Sequence, residues 1–303
     1  MDTRSVGSSV DAYARAWERR DPDAVAELFT PEAAYRSLIF DEPHTGRAAI
    51  RAYWQRATST QSDVRVRMGD PLVDGERAAI EWWTVMSEED DGRVTLPGCL
   101  VLEFQNGRCA RLNEYWHLEP GSAEPYEGWG RISDGETERT RDAVARWIQG
   151  WKTGWEALDP APMVATYAPN AIHRSMPLRA PEPGGVAGYL ARCFPDESDV
   201  RSRFALWAAS GAQALTIYMA TLNDSAEGGE VTLAGCDMLR FDDDGLCTEQ
   251  RDYWNVASGR VPESRAGRAR CAATRWRSAQ SGSARKPLPR ARPAPWPRIP
   301  CRT

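Results

Sequence analysis

The sequence has few cysteines, few histidines and no long apolar segment. Its seven cysteines include no Cys-x-x-Cys pair, so we expect small buried thiols in a reducing compartment. No run approaches about 18 apolar residues, and no transmembrane helix or membrane partner is expected. Residues 1–10 are polar and lack the apolar core of a secretion signal, so a cytoplasmic location is expected.

Several signatures of cofactor chemistry are also missing. The sequence contains no glycine-rich phosphate loop, no serine nucleophile elbow and no cluster with metal-ligand spacing. No cofactor and no metal are therefore expected. What the chain does contain is a strong internal repeat, many tryptophans and an uneven charge distribution.

The charge divides the chain into an acidic body and a basic tail. Residues 258–303 contain eleven Arg, one Lys and one Glu, although the whole chain has a net charge of −5. The acidic body argues against a nucleic-acid partner for the folded part. The tail is rich in Arg and Pro and has almost no aliphatic residues, which predicts disorder. A basic arm for an acidic partner and an out-of-frame translation remain as alternatives.

Two segments about 137 residues apart repeat the same motifs. Residues 95–99 (TLPGC) match residues 232–236 (TLAGC), and residues 114–117 (EYWH) match residues 252–255 (DYWN). The one-residue drift falls in a turn, which is typical of a duplication. We predict domain 1 at 8–120, a linker at 121–139 and domain 2 at 140–257, followed by the tail.

Each repeat predicts helices followed by strands. In the first, an apolar stripe ending at Trp17 indicates a helix, Asp21-Pro22 breaks it, and a further helix covers 48–57. Asp74-Gly75, Asp91-Gly92 and Asn106-Gly107 then mark tight hairpins between apolar runs. The expected fold class is α+β, with helices packed on a curved antiparallel sheet.

This ordered set of motifs, found twice, resembles the SnoaL-like branch of the NTF2-like superfamily. The resemblance implies a cone-shaped fold with a pocket open at one end. Relatives often dimerise through their sheets, so it also implies an internal pseudo-dimer, with further oligomerisation left open. The superfamily includes ketosteroid isomerase, scytalone dehydratase, limonene epoxide hydrolase and polyketide cyclases, as well as binding modules. Fold alone does not decide among these functions.

Acidic residues and histidines on the strands are the candidate catalytic groups. Glu81 lies within an apolar strand and must face a pocket or be paired. We align it with Tyr218, and Trp83 with Ala220, which suggests two pockets with different contents. His117 is a candidate acid–base group or a strand-end surface residue, and strand alternation places it opposite Glu114 and beside Tyr115.

The second repeat supplies further candidates. Asp237 stands where the first repeat has Leu100, and His173 stands where it has Tyr35. Arg36 and Arg174 could orient an oxyanion or form structural ion pairs. The predicted catalytic set is Glu81, His117, His173 and Asp237. The predicted substrate-binding set is Tyr13, Trp17, Tyr35, Arg36, Trp54, Trp83, Tyr115, Arg174, Tyr218 and Tyr253.

Two functional hypotheses follow. In the first, the chain is a cofactor-free acid–base enzyme, such as an isomerase, cyclase, dehydratase or epoxide hydrolase, acting on an apolar small molecule. In the second, it is a non-catalytic ligand-binding or assembly protein. The position of Glu81 separates them, because a Glu81 neutralised by a fixed arginine removes the main argument for catalysis there.

Overall fold

The computed structural model describes residues 2–262, which fall within one compact unit, Met1–Arg268. Most of the basic tail therefore lies outside the described residues. No helix of the described chain is long and apolar enough to cross a membrane.

Domain 1 places three helices and a long meander around one sheet. Its elements are α1 (Thr3–Glu18), α2 (Pro22–Glu27), β1 (Phe29–Arg36), β2 (His44–Thr45), α3 (Arg47–Ala57), β3 (Gln61–Met68), β4 (Leu72–Asp74), β5 (Arg77–Glu88), β6 (Gly92–Gln105), β7 (Arg108–Trp116) and β8 (Glu119–Pro120). The strand order is β2-β1-β7-β6-β5-β3, with β4 on β5 and β8 on β6.

Domain 2 repeats this order with fewer strands. Its elements are α4 (Thr137–Ala157), α5 (Ala161–Val164), β9 (Tyr167–Arg174), α6 (Gly185–Cys193), a short 3-10 helix (Phe194–Asp196), β10 (Glu197–Ser210), β11 (Gln213–Asp224), β12 (Gly229–Phe241) and β13 (Cys247–Ser258). The strand order is β10-β11-β12-β13-β9.

Local sequence explains the element boundaries. Asp21 caps α2 by accepting the Ala24 N–H, and Pro22 occupies the first helical turn, where its missing N–H costs nothing. The predicted hairpins are present, and Gly75, Gly92 and Gly107 have the positive φ angles that such turns require. The predicted α+β class is confirmed.

The sheets are mixed: most strand pairs are antiparallel, as expected, but each sheet also contains one parallel pair. β1 runs parallel to β7, and β9 runs parallel to β13. In each domain the first strand follows the first two helices and pairs with a strand near the end of the domain. A long-range pairing of this kind leaves no hairpin signal in the sequence.

Each sheet has a helix-facing side and a side that faces the other domain. In domain 2 the helix-facing side packs with Trp147, Trp151 and Trp155 of α4. The opposite sides of both sheets join in one apolar cluster, in which Cys99 and Tyr115 of domain 1 pack with residues of domain 2 such as Trp207. We call this region the inter-domain face and the helix side of each sheet the cone.

The strand register corrects the alignment of the two repeats. Cys99 pairs with Glu81, and the matching Cys236 pairs with Ile217, so Glu81 corresponds to Ile217 and not to Tyr218. Tyr218 instead corresponds to Trp82, because each lies opposite a matching glycine. A shift of one residue in the alignment exchanges the two faces of a strand. The expected differences between Glu81 and Tyr218, and between Trp83 and Ala220, therefore do not describe two pockets.

Candidate functional site

Two aspartates face each other across neighbouring strands in the cone of domain 2. Asp237 on β12 pairs directly with Asp252 on β13, and the two carboxyl groups share a hydrogen bond. The residues are only 3% and 5% exposed. Side chains directly opposite each other in an antiparallel pair lie within contact distance, so this pair is the most unusual polar feature of the described chain.

A hydrogen-bond chain fixes the orientation of both carboxyl groups. Thr216 Oγ1 donates to Asp237 Oδ2 at 2.6 Å, and Gln250 Nε2 donates to Asp252 Oδ1 at 2.8 Å. The Tyr167 hydroxyl donates to Gln250 Oε1. Because Oε1 accepts this bond, the amide nitrogen of Gln250 is turned toward Asp252.

Two tryptophans hold the far end of this chain. The indole N–H groups of Trp147 and Trp151 donate to the Tyr167 hydroxyl at 2.9 and 2.8 Å. With both acceptor positions of that oxygen occupied, its own proton is directed to Gln250. The network therefore runs from helix α4, through β9, to the aspartate pair.

The two aspartates retain a proton near neutral pH. Burial raises the pKa of Asp237 to about 7, although hydrogen bonds from Thr216 and Asp252 act in the opposite direction. Burial also raises the pKa of Asp252, and the charge of Asp237 raises it further. Two adjacent buried carboxylates cannot both ionise at low cost, so the pair shares one proton.

His173 lies beside this pair as a neutral imidazole. Its Nε2 is 3.6 Å from Asp252 Oδ2, and its ring packs on Tyr189 at 4.6 Å between centroids. Burial lowers the pKa of His173 to about 4, so the contact with Asp252 is not an ion pair. Within residues 2–262 the Gln250 side chain lies near enough to raise the pKa of this ring, but neither ring nitrogen makes a well-formed hydrogen bond. The ring has no exposed surface, so the protein encloses it on all sides.

The walls of this cone are aromatic and partly open. Phe204 lies 5.5 Å from Tyr218 and 6.3 Å from Trp155 between ring centroids. Phe204, Tyr218 and Leu233 are partly exposed, so solvent reaches the lining of the cone. The structure brings three predicted site residues together here, namely His173, Asp237 and Tyr218.

An apolar groove of about 550 Å³ opens beside the same cone. Pro160 and Val164 line one side, and Leu190 and Phe194 line the other. Leu190 also belongs to the apolar cluster on the helix side of the domain 2 sheet, but Asp237, Asp252 and His173 do not line the groove. The volume lies within the range of small-molecule sites.

The cone of domain 1 contains different groups and is closed. Tyr13 donates a 2.7 Å hydrogen bond to Glu114, and the Tyr35 hydroxyl is 3.4 Å from that of Tyr13. Burial raises the pKa of Glu114 to about 7, although the hydrogen bonds from Tyr13 and Tyr35 lower it. Trp17 and Trp54 pack edge to face at 5.4 Å. A small cavity of about 20 Å³ is bordered by Tyr13 and Leu100.

Glu81 lies outside both cones. It is 2% exposed on the inter-domain face and binds the 3% exposed Arg251 of domain 2 through both carboxylate oxygens, at 2.7 Å each. Tyr253 donates a further 2.7 Å hydrogen bond to Glu81. A fixed arginine therefore neutralises Glu81, which is the condition that removes the argument for catalysis at this residue.

His117, Tyr115 and Tyr253 also lie on the inter-domain face. His117 Nε2 accepts a 3.5 Å hydrogen bond from the Trp254 backbone N–H, and burial lowers the pKa of His117 to about 3. Tyr115 and Tyr253 belong to the cluster between the sheets. The alternation along β7 is as expected, with Glu114 on the opposite side, in the cone.

The remaining three predicted residues support loops and the linker. Arg36 donates to the backbone carbonyls of Ile39 and Asp41. Arg174 donates to the Arg179 carbonyl and lies 3.8 Å over the Tyr126 ring. Trp83 donates to the Ala123 carbonyl and packs on Trp129.

Sequence reasoning did not select six members of the domain 2 network: Asp252, Gln250, Thr216, Tyr167, Trp147 and Trp151. A usable signal was present, because Gln250 and Asp252 are two residues apart and share a strand face. With the two repeats aligned on Cys99 and Cys236, the alternation of side chains between the two strand faces could have placed Asp252 on the same face as Asp237.

The chain matches the family model of the SnoaL-like domain twice, over residues 10–112 and 144–250. No curated protein matches the chain significantly. A similar solved structure is a hypothetical protein with a ketosteroid isomerase-like fold from Catenulispora acidiphila, in complex with trimethylamine. It is 21% identical, and the alignment covers 35% of this chain and 83% of that one, with a TM-score of 0.34.

Two further solved structures show similar values. SalBIII, an epoxide hydrolase/cyclase-like enzyme with a role in pyran ring formation in the polyether salinomycin, is 24% identical over 38% of this chain and 93% of its own, with a TM-score of 0.35. A candidate polyketide cyclase from Sinorhizobium meliloti is 24% identical over 38% of this chain and 99% of its own, with a TM-score of 0.31. Because the two family matches together span most of the chain, this protein belongs to the SnoaL-like domain family and contains two copies of the domain.

Proposed function

We propose that this chain is an acid–base catalyst for a neutral, largely apolar small molecule, and that the cone of domain 2 is the reacting site. The observation that carries the proposal is the proton-sharing pair of Asp237 and Asp252 in an aromatic cone. A carboxyl group whose pKa lies near the working pH is suited to proton transfer in both directions. Isomerisation, cyclisation, dehydration and epoxide opening are the reactions that such a pair can serve.

In this proposal each group of the network has one role. Asp252 holds the shared proton and is the general acid, because burial and the neighbouring charge both raise its pKa. Asp237, whose pKa is about 7, is the general base. His173 is neutral and offers one donor and one acceptor to a polar atom of the substrate.

The substrate class follows from the walls of the cone. Aromatic side chains such as Phe204 and Tyr218 bury apolar surface, and the adjoining groove is apolar as well. An anionic ligand would be repelled by the carboxyl pair. We therefore propose an uncharged ring system that carries a carbonyl, ether or epoxide oxygen.

Domain 1 has a supporting role in this proposal. Its residual cavity of about 20 Å³ accommodates at most one water molecule. In domain 1, Leu100 occupies the position that Asp237 has in domain 2. The residue opposite Glu114 on the neighbouring strand is therefore apolar and not a second carboxyl group. We further propose that the two domains form an internal pseudo-dimer, supported by the mixed apolar cluster and the Glu81–Arg251 ion pair between their sheets.

The test begins with the full chain and a panel of polycyclic ketones and aliphatic epoxides. Compounds that raise the thermal unfolding temperature are then assayed for turnover. We expect Asp237→Asn to abolish turnover while the fold is retained, because the amide cannot accept a proton.

Glu114→Gln is the matched control. It removes a buried carboxyl group of similar pKa from the other cone, so turnover should persist. Turnover that survives Asp237→Asn and is lost in Glu114→Gln would move the reaction to domain 1. Stabilising ligands without turnover in the wild-type chain would favour binding without catalysis.

A further inference from the structure

The buried carboxylate of Glu81 has a role that catalysis in a cone does not explain. It lies in domain 1, yet all three of its hydrogen-bond donors named above, two from Arg251 and one from Tyr253, belong to β13 of domain 2. A carboxylate buried at this depth is tolerated only with such compensation. Glu81 therefore fixes one segment of a single strand.

That segment carries the general acid of the proposed site. Arg251 and Tyr253 flank Asp252 in the chain and point to domain 1, whereas Gln250 and Asp252 point into the cone. Since neighbouring side chains of a strand lie on opposite faces, holding Arg251 and Tyr253 fixes the backbone from which Asp252 projects.

Further contacts tie the same strand to its surroundings. Arg251 Nη1 also binds Glu249 Oε1 at 2.9 Å, and Glu249 contacts Arg240 on β12. Trp254 N–H donates to His117 of domain 1 at 3.5 Å. Burial alone would lower the pKa of Arg251, and the charge and hydrogen bonds of Glu81 more than reverse this effect.

We propose that Glu81 of domain 1 is a positioning residue for Asp252 of domain 2. Through Arg251 and Tyr253 it holds β13 in the register and distance at which Asp252 and Asp237 share a proton. The site in domain 2 is thus completed by domain 1. This inference rests on the proposed function, because it concerns the same aspartate pair.

The test compares the titration of the aspartate pair in full-length variants. The double variant Glu81→Met/Arg251→Met removes the tie without leaving an unpaired charge, and Glu249 keeps Arg240 as a partner. Asp74→Asn is the matched control, because it breaks another ion pair between the domains, Asp74–Arg141 at 2.7 Å, that does not involve β13.

The measurement is the NMR titration of labelled aspartate carboxyl carbons. The resonance of Asp237 is identified by its absence from the spectrum of Asp237→Asn. The wild-type chain should show a carboxyl group titrating near pH 7. In the double variant, we expect this step to rise by about one pH unit or more, because Asp237 stays buried but loses the hydrogen bond from Asp252 that lowers its pKa. Asp74→Asn should leave the step unchanged.

The outcomes separate the two proposals. If the near-neutral step persists unchanged in a folded double variant, Glu81 has no positioning role and the proposed function stands. If the wild-type chain has no near-neutral carboxyl step, the proposed function is overturned, and this inference with it. A shift of equal size in Asp74→Asn would assign the effect to general loosening of the interface and would also overturn the positioning role.

Discussion

Asp237 illustrates how one buried carboxyl group links stability to pH. Its pKa is raised to about 7 in the folded chain, whereas an unfolded aspartate titrates near about 3.9. Between these values the folded state binds a proton that the unfolded state has released. Stability from this group is therefore present below about pH 4 and is lost as the pH rises through about 7.

Asp237→Asn should reverse this loss. The amide is neutral at every pH, so the variant should be more stable than the wild type at about pH 8.5, where each unit of pKa difference corresponds to about 1.4 kcal/mol. At about pH 4 the two chains should differ by less than about 1 kcal/mol. Urea unfolding at both pH values checks this. Equal stability at the higher pH would contradict the raised pKa.

Gly98 and Gly235, which occupy matching positions in the two repeats, give a second prediction. A Cβ at Gly98 would lie 2.4 Å from the Trp82 ring, and one at Gly235 would lie 2.6 Å from the Tyr218 ring. Trp82 is fully enclosed and packs on Trp17, whereas Tyr218 is partly exposed and can move.

Gly98→Ala should therefore destabilise the chain by about 1–3 kcal/mol through overpacking, and Gly235→Ala by clearly less. Urea unfolding of the two variants side by side measures the difference. Equal costs would mean that the two cones are closed to the same degree, which would weaken the assignment of the ligand site to domain 2.

At the scale of elements, sequence periodicity predicted the helices and the hairpins because these depend on local residues, but it did not predict that β1 precedes α3 and β9 precedes α6. Pro22 begins α2, and Gly92 forms the turn between β5 and β6. The parallel pairing of β1 with β7 depends on residues far apart in the chain, so no local pattern marks it.

The candidate site was only partly predictable for a related reason. Asp237, His173 and Tyr218 stood out as polar or altered residues in apolar strands, and they meet in one cone. Glu81 stood out in the same way, but its face depends on a register that a single-residue slip reverses. Both sides of β5 are buried, so its apolar sequence did not show which side faces the helices.

The link between β9 and β13 gives a prediction at this scale. Tyr167→Phe removes the acceptor of two indole N–H groups and the donor to Gln250. Because buried polar groups left unpaired cost about 1–3 kcal/mol each, we expect a loss of at least about 2 kcal/mol. Tyr35→Phe is the comparison in the other cone. It removes a hydroxyl that lies 3.4 Å from that of Tyr13 and hydrogen-bonds Glu114, but Glu114 keeps its bond from Tyr13, so this variant should cost less than Tyr167→Phe. Thermal unfolding that ranks the two in reverse order would contradict the network.

At the scale of the whole molecule, the two domains share one buried face and differ in their cones. Aromatic side chains fill the cone of domain 1, whereas partly exposed ones line that of domain 2. The interface contains a buried ion pair within an apolar cluster, which is an unfavourable place for a lone charge. The acidic groups of both cones are buried, so the two copies differ in the exposure of their aromatic linings and not in that of their carboxyl groups.

A double-mutant cycle on Glu81 and Arg251 measures how strongly the ion pair couples the domains. Glu81→Met leaves Arg251 buried without its bidentate partner, and Arg251→Met leaves Glu81 with only the Tyr253 hydroxyl, so each single variant should cost about 3–5 kcal/mol. The double variant should be much less destabilised than the sum, because it buries no unpaired charge, giving a coupling of about 2 kcal/mol or more. Urea unfolding of the four chains at neutral pH provides the free energies. Additive costs would show that the two residues act independently and that the ion pair does not join the domains energetically.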